Sequence, residues 1–582
     1  MRTTKFTSPL EWSRSRYQPP LPKVLKGSTV ATEGESTTCV EHVDQIKKLF
    51  PKSFGKPIIK LTAGESKVQK KPLKVGIVLS GGPAPGGHNV IVGLYRFLKK
   101  HHRDSKLLGF KGGLLGVVKN DFIEIDSEKC TNSFNLGGFH MLGTGRDKID
   151  SEEKKEATRK TAVKQNLNGL VIIGGDDSNT NAAVVCEDFL KHEIPCQVIG
   201  VPKTIDGDLQ NEYIETSFGF DTATKVYSEL IGNIMMDCLS SRKYWHFVRL
   251  MGRSASHIAL ECTLQTHPNL LLVGEFIEKR NVKFIQIVNM IADIICKRFE
   301  KGNKKYGVVI IPEGLILFIP DFKQLLDRID EMFGSDKKKK DWKSEDLIKY
   351  LEEKKDKESK VLFQELPKGI SSQLLLTRDP HGNVDVSKIE TGKLLKWSVR
   401  KILRKRARNI QDEYSTSKKY FNNWSCMTHF FGYEGRCGFP SNFDCNYCNA
   451  LGHTAGHLLA HGKTGAMAVV RNLTDPVEKW VCSGIPITAM LNMEKRLATW
   501  RPVIRKTLVD LKGRPYKTML RRSNEWGLND YYRSLGPIQF EGFNANSICK
   551  TLMLNQSGMD TEDDEEYGSS SDDDDEEEED LK

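Results

Sequence analysis

Short apolar runs rich in β-branched residues recur along the chain, each followed by a polar or glycine-bearing loop, and several of these loops lead into an amphipathic stretch. Residues 75–79 form the first run, 81–87 its loop and 88–100 the helical stretch behind it. The unit returns as a strand at 169–173, a loop at 174–178 and a helix at 179–191. A strand at 197–201 runs into a polar loop at 202–211, and a strand at 245–250 turns at Gly252 into a helix over 255–263. One more strand is predicted at 306–311. Strands alternating with helices predict an α/β fold whose parallel sheets are covered on both faces. Ligands of such sheets sit outside the carboxyl ends of the strands, where these loops lie, so the loops are expected to converge on one crevice.

Length and composition narrow the class. The 582 residues, 38% hydrophobic and 28% charged, suit several globular cores and exclude collagen-like, wholly disordered and small disulfide-framework proteins. The most apolar stretch, 306–320, is interrupted by Glu313 and is shorter than the roughly 18 residues of a spanning helix. No membrane association is expected. Thirteen scattered cysteines, an odd number, suit free thiols in a reducing, cytoplasmic setting. Near the N-terminus, Arg2, Lys5, Arg14 and Arg16 stand against Glu11 without the apolar centre of a secretory signal.

The net charge of +11 hides an asymmetry: residues 560–582 carry 15 acidic side chains and one lysine, leaving the body at +25. The tail is expected to be disordered, and Ser569, Ser570 and Ser571 before its acidic run suit an acid-directed kinase. A basic body fits nucleic acid or a phosphorylated substrate. No nucleic-acid-reading motif accompanies it, and nucleic acid is not an expected partner. The Lys- and Glu-rich stretch 332–360, with four lysines at 337–340, is expected to be a solvated helical insertion.

Three loops carry candidate chemistry. Ser80-Gly81-Gly82-Pro83-Ala84-Pro85-Gly86-Gly87 opens a helix, so its backbone can approach an anion closely. It matches neither the P-loop nor the dinucleotide pattern, and a tight structural turn is the alternative. Gly174-Gly175-Asp176-Asp177 places two carboxylates side by side after a buried strand, which calls for a cation such as Mg²⁺ or, failing that, a helix cap. Pro202-Lys203-Thr204-Ile205-Asp206-Gly207-Asp208 gathers a cation, a hydroxyl and two carboxylates, the groups that phosphoryl transfer to an alcohol requires.

Together with Met251-Gly252-Arg253, Gly219-Phe220-Asp221-Thr222-Ala223 and Phe431-Gly432-Tyr433-Glu434-Gly435-Arg436, these loops resemble the phosphofructokinase family from about residue 19 to 551. The similarity is strongest to its long, plant-type branch that uses pyrophosphate, and there to the catalytic beta subunit. Residues 378–384 and 536–540 also look like that subunit. The resemblance implies two parallel-sheet α/β lobes with an inserted helical region. Residues 1–72 would be an N-terminal extension, 73–240 the donor lobe, 241–331 the sugar-phosphate lobe, 332–420 the insertion, 421–559 a segment completing both lobes, and 560–582 the tail. It implies phosphoryl transfer from pyrophosphate to the 1-hydroxyl of fructose 6-phosphate, with Mg²⁺ as cofactor, in a homodimer or with a related regulatory alpha-type subunit.

Carried over by motif, Asp206 would be the general base, Gly82 would touch pyrophosphate with Arg146 nearby, and Asp176 would hold Mg²⁺. Thr204, Ile205, Asp208, Met251, Gly252, Arg253, Glu313, Tyr433, Glu434, Gly435 and Arg436 would surround the sugar phosphate, and Lys243 and Tyr244 would reach the substrate of a neighbouring subunit. ATP users of the family have glycine where Asp177 and Lys203 stand. A carboxylate at Asp177 would repel a nucleotide α-phosphate, and Lys203 would stabilise the transferring group. An ATP-dependent enzyme and a non-catalytic regulatory subunit are the alternatives; the latter loses residues of the Lys203–Asp206 loop, all present here. Pro83 departs from the glutamine usual in plant beta chains. Cys445, Cys448, His453 and His457 mimic zinc-finger ligands, but their close spacing suits one helix instead.

Overall fold

The computed structural model describes residues 8–65, 69–334, 343–377, 384–385, 388–409, 415–496 and 499–557. The lysines at 337–340, most of the 378–384 motif and the acidic tail with its serines lie outside them.

In chain order the strands are β1 (Thr29–Ser36), β2 (Pro57–Ala63), β3 (Lys74–Leu79), β4 (Lys106–Phe110), β5 (Phe122–Ile125), β6 (Gly169–Gly174) and β7 (Gln197–Pro202). There follow β8 (Trp245–Leu250), β9 (Leu270–Leu271), β10 (Gly307–Pro312), β11 (Cys426–Phe431), β12 (Ala466–Arg471), β13 (Val481–Pro486), β14 (Leu491–Arg496) and β15 (Thr499–Ile504). The larger sheet has the order β1-β2-β13-β12-β7-β6-β3-β4-β5, the smaller β11-β8-β10-β9, and β14 and β15 form a hairpin. Every strand of the smaller sheet runs parallel to its neighbours. In the larger sheet the stretch from β12 to β4 is parallel, whereas β5, β13, β2 and β1 add antiparallel edges.

Burial on both faces explains why the central strands read as continuous apolar runs. β6, β8 and β10 are buried along their whole length. The apolar stretch 306–320 is one of these strands followed by a short turn at Leu315–Leu317. Within residues 1–72, β1 pairs with β2, and β2 pairs with β13, so both lie at the edge of the larger sheet. The exposed outer half of β1, Glu33–Ser36, is why that strand lacks an apolar signature. The later segment returns to supply β11 to one sheet and β12 and β13 to the other.

Residues 320–422 are helical wherever they form regular elements, from Pro320–Gly334 to Thr391–Arg408 and Ser415–Asn422. Leu347, Leu351, Phe363, Leu374 and Leu395 from these helices share a core with Trp245, Phe247 and Ile311 of the smaller sheet.

Two helices on the larger sheet cross at close range. Gly87–His101 follows β3, and Asn442–Ala460 is buried from Asn442 to Leu459. Glycines let their backbones meet: a Cβ on Gly452 would lie 2.3 Å from the Val90 carbonyl oxygen, and one on Gly93 2.6 Å from that of Asn449. Gly452→Ala is therefore expected to force the helices apart, an overpacking cost of about 1–3 kcal/mol. Thermal unfolding should show a lower midpoint; an unchanged midpoint would contradict this packing.

Candidate functional site

The crevice forms where the carboxyl ends of both sheets face each other. β3 runs into the glycine loop, and Thr144 and Gly145 support it from behind. Gly81 N–H donates to the Gly145 carbonyl (2.9 Å), and the Thr144 hydroxyl donates to the Gly81 carbonyl (2.7 Å). Gly81 sits at φ +86°, and a Cβ there would lie 3.3 Å from Lys203 Nζ. At Gly82 a Cβ would come within 2.8 Å of an Arg436 guanidinium nitrogen. The loop thus presents bare backbone next to two cations. The helices Gly87–His101 and Asp176–Lys191 start beside it, with N-termini that favour negative charge.

β6 and β7 deliver the charged residues. Asp176 and Asp177 open the helix after β6. Asp177 is exposed at the rim and accepts a hydrogen bond from Lys148 Nζ at 3.0 Å. Lys203 follows β7, its N–H bonded to the Gly174 carbonyl at 2.9 Å, and its residue surface is only 6% exposed. Burial brings its amine down to about 8, opposed by Asp206 and reinforced by Arg436. Asp206 N–H donates to Thr204 Oγ1 at 3.0 Å, which folds the loop over its own hydroxyl. Burial, then repulsion from Asp208, raises the Asp206 carboxyl from 3.8 to about 6, against the pull of Lys506, Arg253 and Lys203. Burial also raises Asp176, with Lys506 opposing and Asp177 and Asp208 adding to the rise.

The smaller sheet supplies the facing wall. Met251, Gly252 and Arg253 follow β8, Glu313 follows β10, and Tyr433 to Arg436 follow β11. Met251 N–H donates to the Phe431 carbonyl (2.9 Å), and Gly252 N–H to Glu313 Oε2 (3.2 Å). Glu313 is buried and its carboxyl raised by that burial. Arg253 is exposed to the crevice, and Tyr433 is 70% exposed with the Arg436 guanidinium 5.1 Å from its ring centroid. Arg436, expected beside the sugar phosphate, also reaches the donor loop at Gly82 and so bridges the two halves.

Not every expected residue faces the crevice with its side chain. Ile205 belongs to the main core, so only its backbone is available. Glu434 accepts from Gly432 N–H (2.7 Å) and shapes the turn, and Gly435 lies so close to Tyr227 that a Cβ would meet its ring. Arg146 is exposed next to Gly145 at the loop's support. Lys243 and Tyr244 precede β8, whereas Met251 follows it; six strand residues separate them by about 20 Å. Both are exposed, Tyr244 to 39%. Cys445, Cys448, His453 and His457 are buried in the single helix Asn442–Ala460. Among the described residues no cluster of three or more His, Cys, Asp or Glu is placed to hold a metal ion.

Mg²⁺ is commonly held by one or two carboxylates together with substrate phosphates and water. Asp176 fits: its Oδ2 is buried without a hydrogen-bond partner. Asp208 Oδ2 converges on the same point, since Lys506 Nζ lies 3.3 Å from it and 3.7 Å from Asp176 Oδ2. Lys506 and Lys148 were not singled out in the sequence. Lys506 lies in a segment without a glycine-rich or acidic signature, whereas Lys148 ends the Gly145-Arg146-Asp147 segment; the tertiary fold brings each to its aspartate.

The phosphofructokinase family pattern matches residues 74–459. The chain belongs to this family. It is 46% identical over 536 residues to a pyrophosphate–fructose 6-phosphate 1-phosphotransferase of Porphyromonas gingivalis, covering 92% of this chain and 96% of that one. It is 45% identical over 557 residues to subunit beta 2 of the enzyme of that name in Arabidopsis thaliana, covering 95% of each. To subunit alpha 2 from the same plant it is 40% identical, over 93% of this chain and 87% of that one. Among solved structures, the fold is similar to a pyrophosphate-dependent phosphofructokinase from Nitrosospira multiformis (TM-score 0.51, 14% identity, 83% of this chain and 97% of that one). A second, from Marinobacter aquaeolei, has TM-score 0.50 and 14% identity, over 82% and 97%.

The raised Asp206 carboxyl has a stability consequence. Its protonated form stabilises the fold fully below 3.8, and that contribution is lost as pH rises past about 6. Near neutral pH the ionised group therefore costs stability. Asp206→Asn is expected to raise the thermal midpoint near neutrality, with a smaller gain at about pH 4. A lower midpoint near neutrality would contradict the assignment.

Proposed function

We propose that this phosphofructokinase-family chain transfers a phosphoryl group reversibly from pyrophosphate to the 1-hydroxyl of fructose 6-phosphate. The products are fructose 1,6-bisphosphate and phosphate, and the reaction serves glycolysis and gluconeogenesis. The observation that carries this reading is the pair at the donor loop: Lys203 buried beneath Gly81, and Asp177 fixed at the rim by Lys148. A compact diphosphate gains the buried amine as a counter-charge, while a longer nucleotide has to pass the Asp177 carboxylate. Relatives that carry the pyrophosphate-dependent name at 43–46% identity support the same reading.

The roles follow from placement. Asp206 takes the proton of the 1-hydroxyl, its raised carboxyl being a better base near neutrality than an ordinary aspartate. Thr204 and Asp208 hold the loop, the Thr204 hydroxyl donating to Asp208 Oδ1 at 3.4 Å. Lys203 and Arg436 face the donor loop from beneath and across it, where negative charge develops on the moving group. Arg253, Glu313 and Tyr433 bind and orient the sugar phosphate. Asp176 would hold Mg²⁺, which supplies charge neutralisation on the diphosphate oxygens.

Lys243 and Tyr244, exposed at the far end of β8, suit a contribution to the site of a neighbouring copy. A homodimer or an assembly with an alpha-type relative would provide it. No helix among the described residues is long and apolar enough to cross a membrane. All thirteen cysteines are free, which supports a reducing, cytoplasmic setting.

A coupled assay of the purified chain with pyrophosphate or ATP tests the reading. Turnover is expected with pyrophosphate and not with ATP; the reverse preference would overturn it. Asp206→Ala should lower turnover by roughly 10²–10⁴ with folding preserved, and near-normal turnover would refute the base assignment. Replacing both Asp177 and Lys203 by Gly should weaken pyrophosphate use, and an unchanged donor preference would contradict their role in specificity.

A further inference from the structure

The chain beyond β15 brings in a cation from outside the region that the family pattern matches. Lys506 Nζ donates to Ser254 Oγ at 2.9 Å, beside Arg253 of the acceptor wall. It lies 3.3 Å from Asp208 Oδ2 and 3.7 Å from Asp176 Oδ2. The backbone around it is anchored on both sides. Arg505 N–H donates to the Met490 carbonyl (3.2 Å), Thr507 N–H to the Asp208 carbonyl (2.8 Å), and Val509 N–H to Glu275 Oε1 (3.0 Å). The Thr507 hydroxyl donates to the Gln210 carbonyl, and His257 Nε2 meets the Thr507 carbonyl at 2.9 Å. The position of the ammonium is thus built into the fold.

A cation at this point has a physical reason. Asp176 and Asp208 bring two carboxylates to the same ammonium, at 3.7 and 3.3 Å, and without it two like charges would face each other across the gap. A single ammonium here lies between Asp208 and Asp176, the carboxylate that would hold a divalent ion. The longer of its two carboxylate distances is to Asp176, and this is the side where Oδ2 lacks a hydrogen-bond donor. The ammonium is therefore held more firmly by Asp208 and Ser254 than by Asp176.

We propose that Lys506 is a positioning residue that competes with the divalent cation at Asp176. It balances the carboxylates before the metal arrives and yields Asp176 on metal binding while retaining Asp208 and Ser254. The inference rests on the phosphotransferase reading of this site, but its test does not use turnover. Binding of Mn²⁺ to the full chain, without pyrophosphate or sugar phosphate, can be followed by electron paramagnetic resonance. Lys506→Met keeps the aliphatic stem and removes the charge. It should tighten Mn²⁺ binding by about fivefold or more, the lower bound being one like charge removed at a few ångströms with water-like screening. Lys506→Arg should stay near the wild-type affinity. Should the methionine variant fail to fold, Lys506→Gln, which keeps a polar end and removes the charge, should tighten Mn²⁺ binding in the same direction. Unchanged or weaker Mn²⁺ binding in the folded variants, or no binding in any of them, would overturn the competition. The donor assay would still decide the function independently.

Discussion

Everything at this site depends on one electrostatic constraint: three aspartates are crowded at the ends of buried strands, and burial raises the carboxyls of Asp176 and Asp206. Asp176 comes from β6, and Asp206 and Asp208 from the loop after β7. Left alone, such a group would take up protons or open the fold. The chain answers with cations from three directions. Lys203 comes from the same loop, Arg253 from the opposite sheet and Lys506 from the far end of the chain. The balance leaves Asp206 higher than an ordinary aspartate and Lys203 lower than an ordinary lysine. Both shifts bring these groups nearer to the pH at which a base and a charge-stabilising acid work together.

The fold makes this crowding tolerable by dividing it between two frameworks. The larger sheet positions the glycine loop, the carboxylates and Lys203; the smaller sheet positions Arg253, Glu313 and the Tyr433–Arg436 turn. Arg436 ties them together, since it reaches Gly82 on one side and stacks on Tyr433 on the other. The tightly packed helices at Gly93 and Gly452 stiffen the larger framework, as neither backbone leaves room for a Cβ.

Much of this was legible in the sequence, for a physical reason. Strands buried on both faces, such as β6 and β10, leave an unmistakable apolar run, and the loops after them must hold the polar chemistry. Asp176, Lys203 and Asp206 could therefore be placed at strand ends before the structure was known. Edge elements were not legible in this way. β1 is exposed over its outer half and offers no alternating pattern, so its place at the edge of the larger sheet is not readable from the sequence. Side-chain direction was also hidden. Ile205 sits in the charged loop after β7 yet faces the core, and Glu434 and Gly435 shape a turn. Lys506 carries no local signal, since its partners are supplied by distant segments.

The central claim is that burial and mutual repulsion set a base at Asp206 and a charge-stabilising amine at Lys203. The most direct measurement is the pH dependence of kcat/KM with pyrophosphate as donor. A group that must lose its proton near 6 and one that must keep its proton up to near 8 predict a bell-shaped profile with limbs at those values. A rate that stays flat through both limbs would contradict the account.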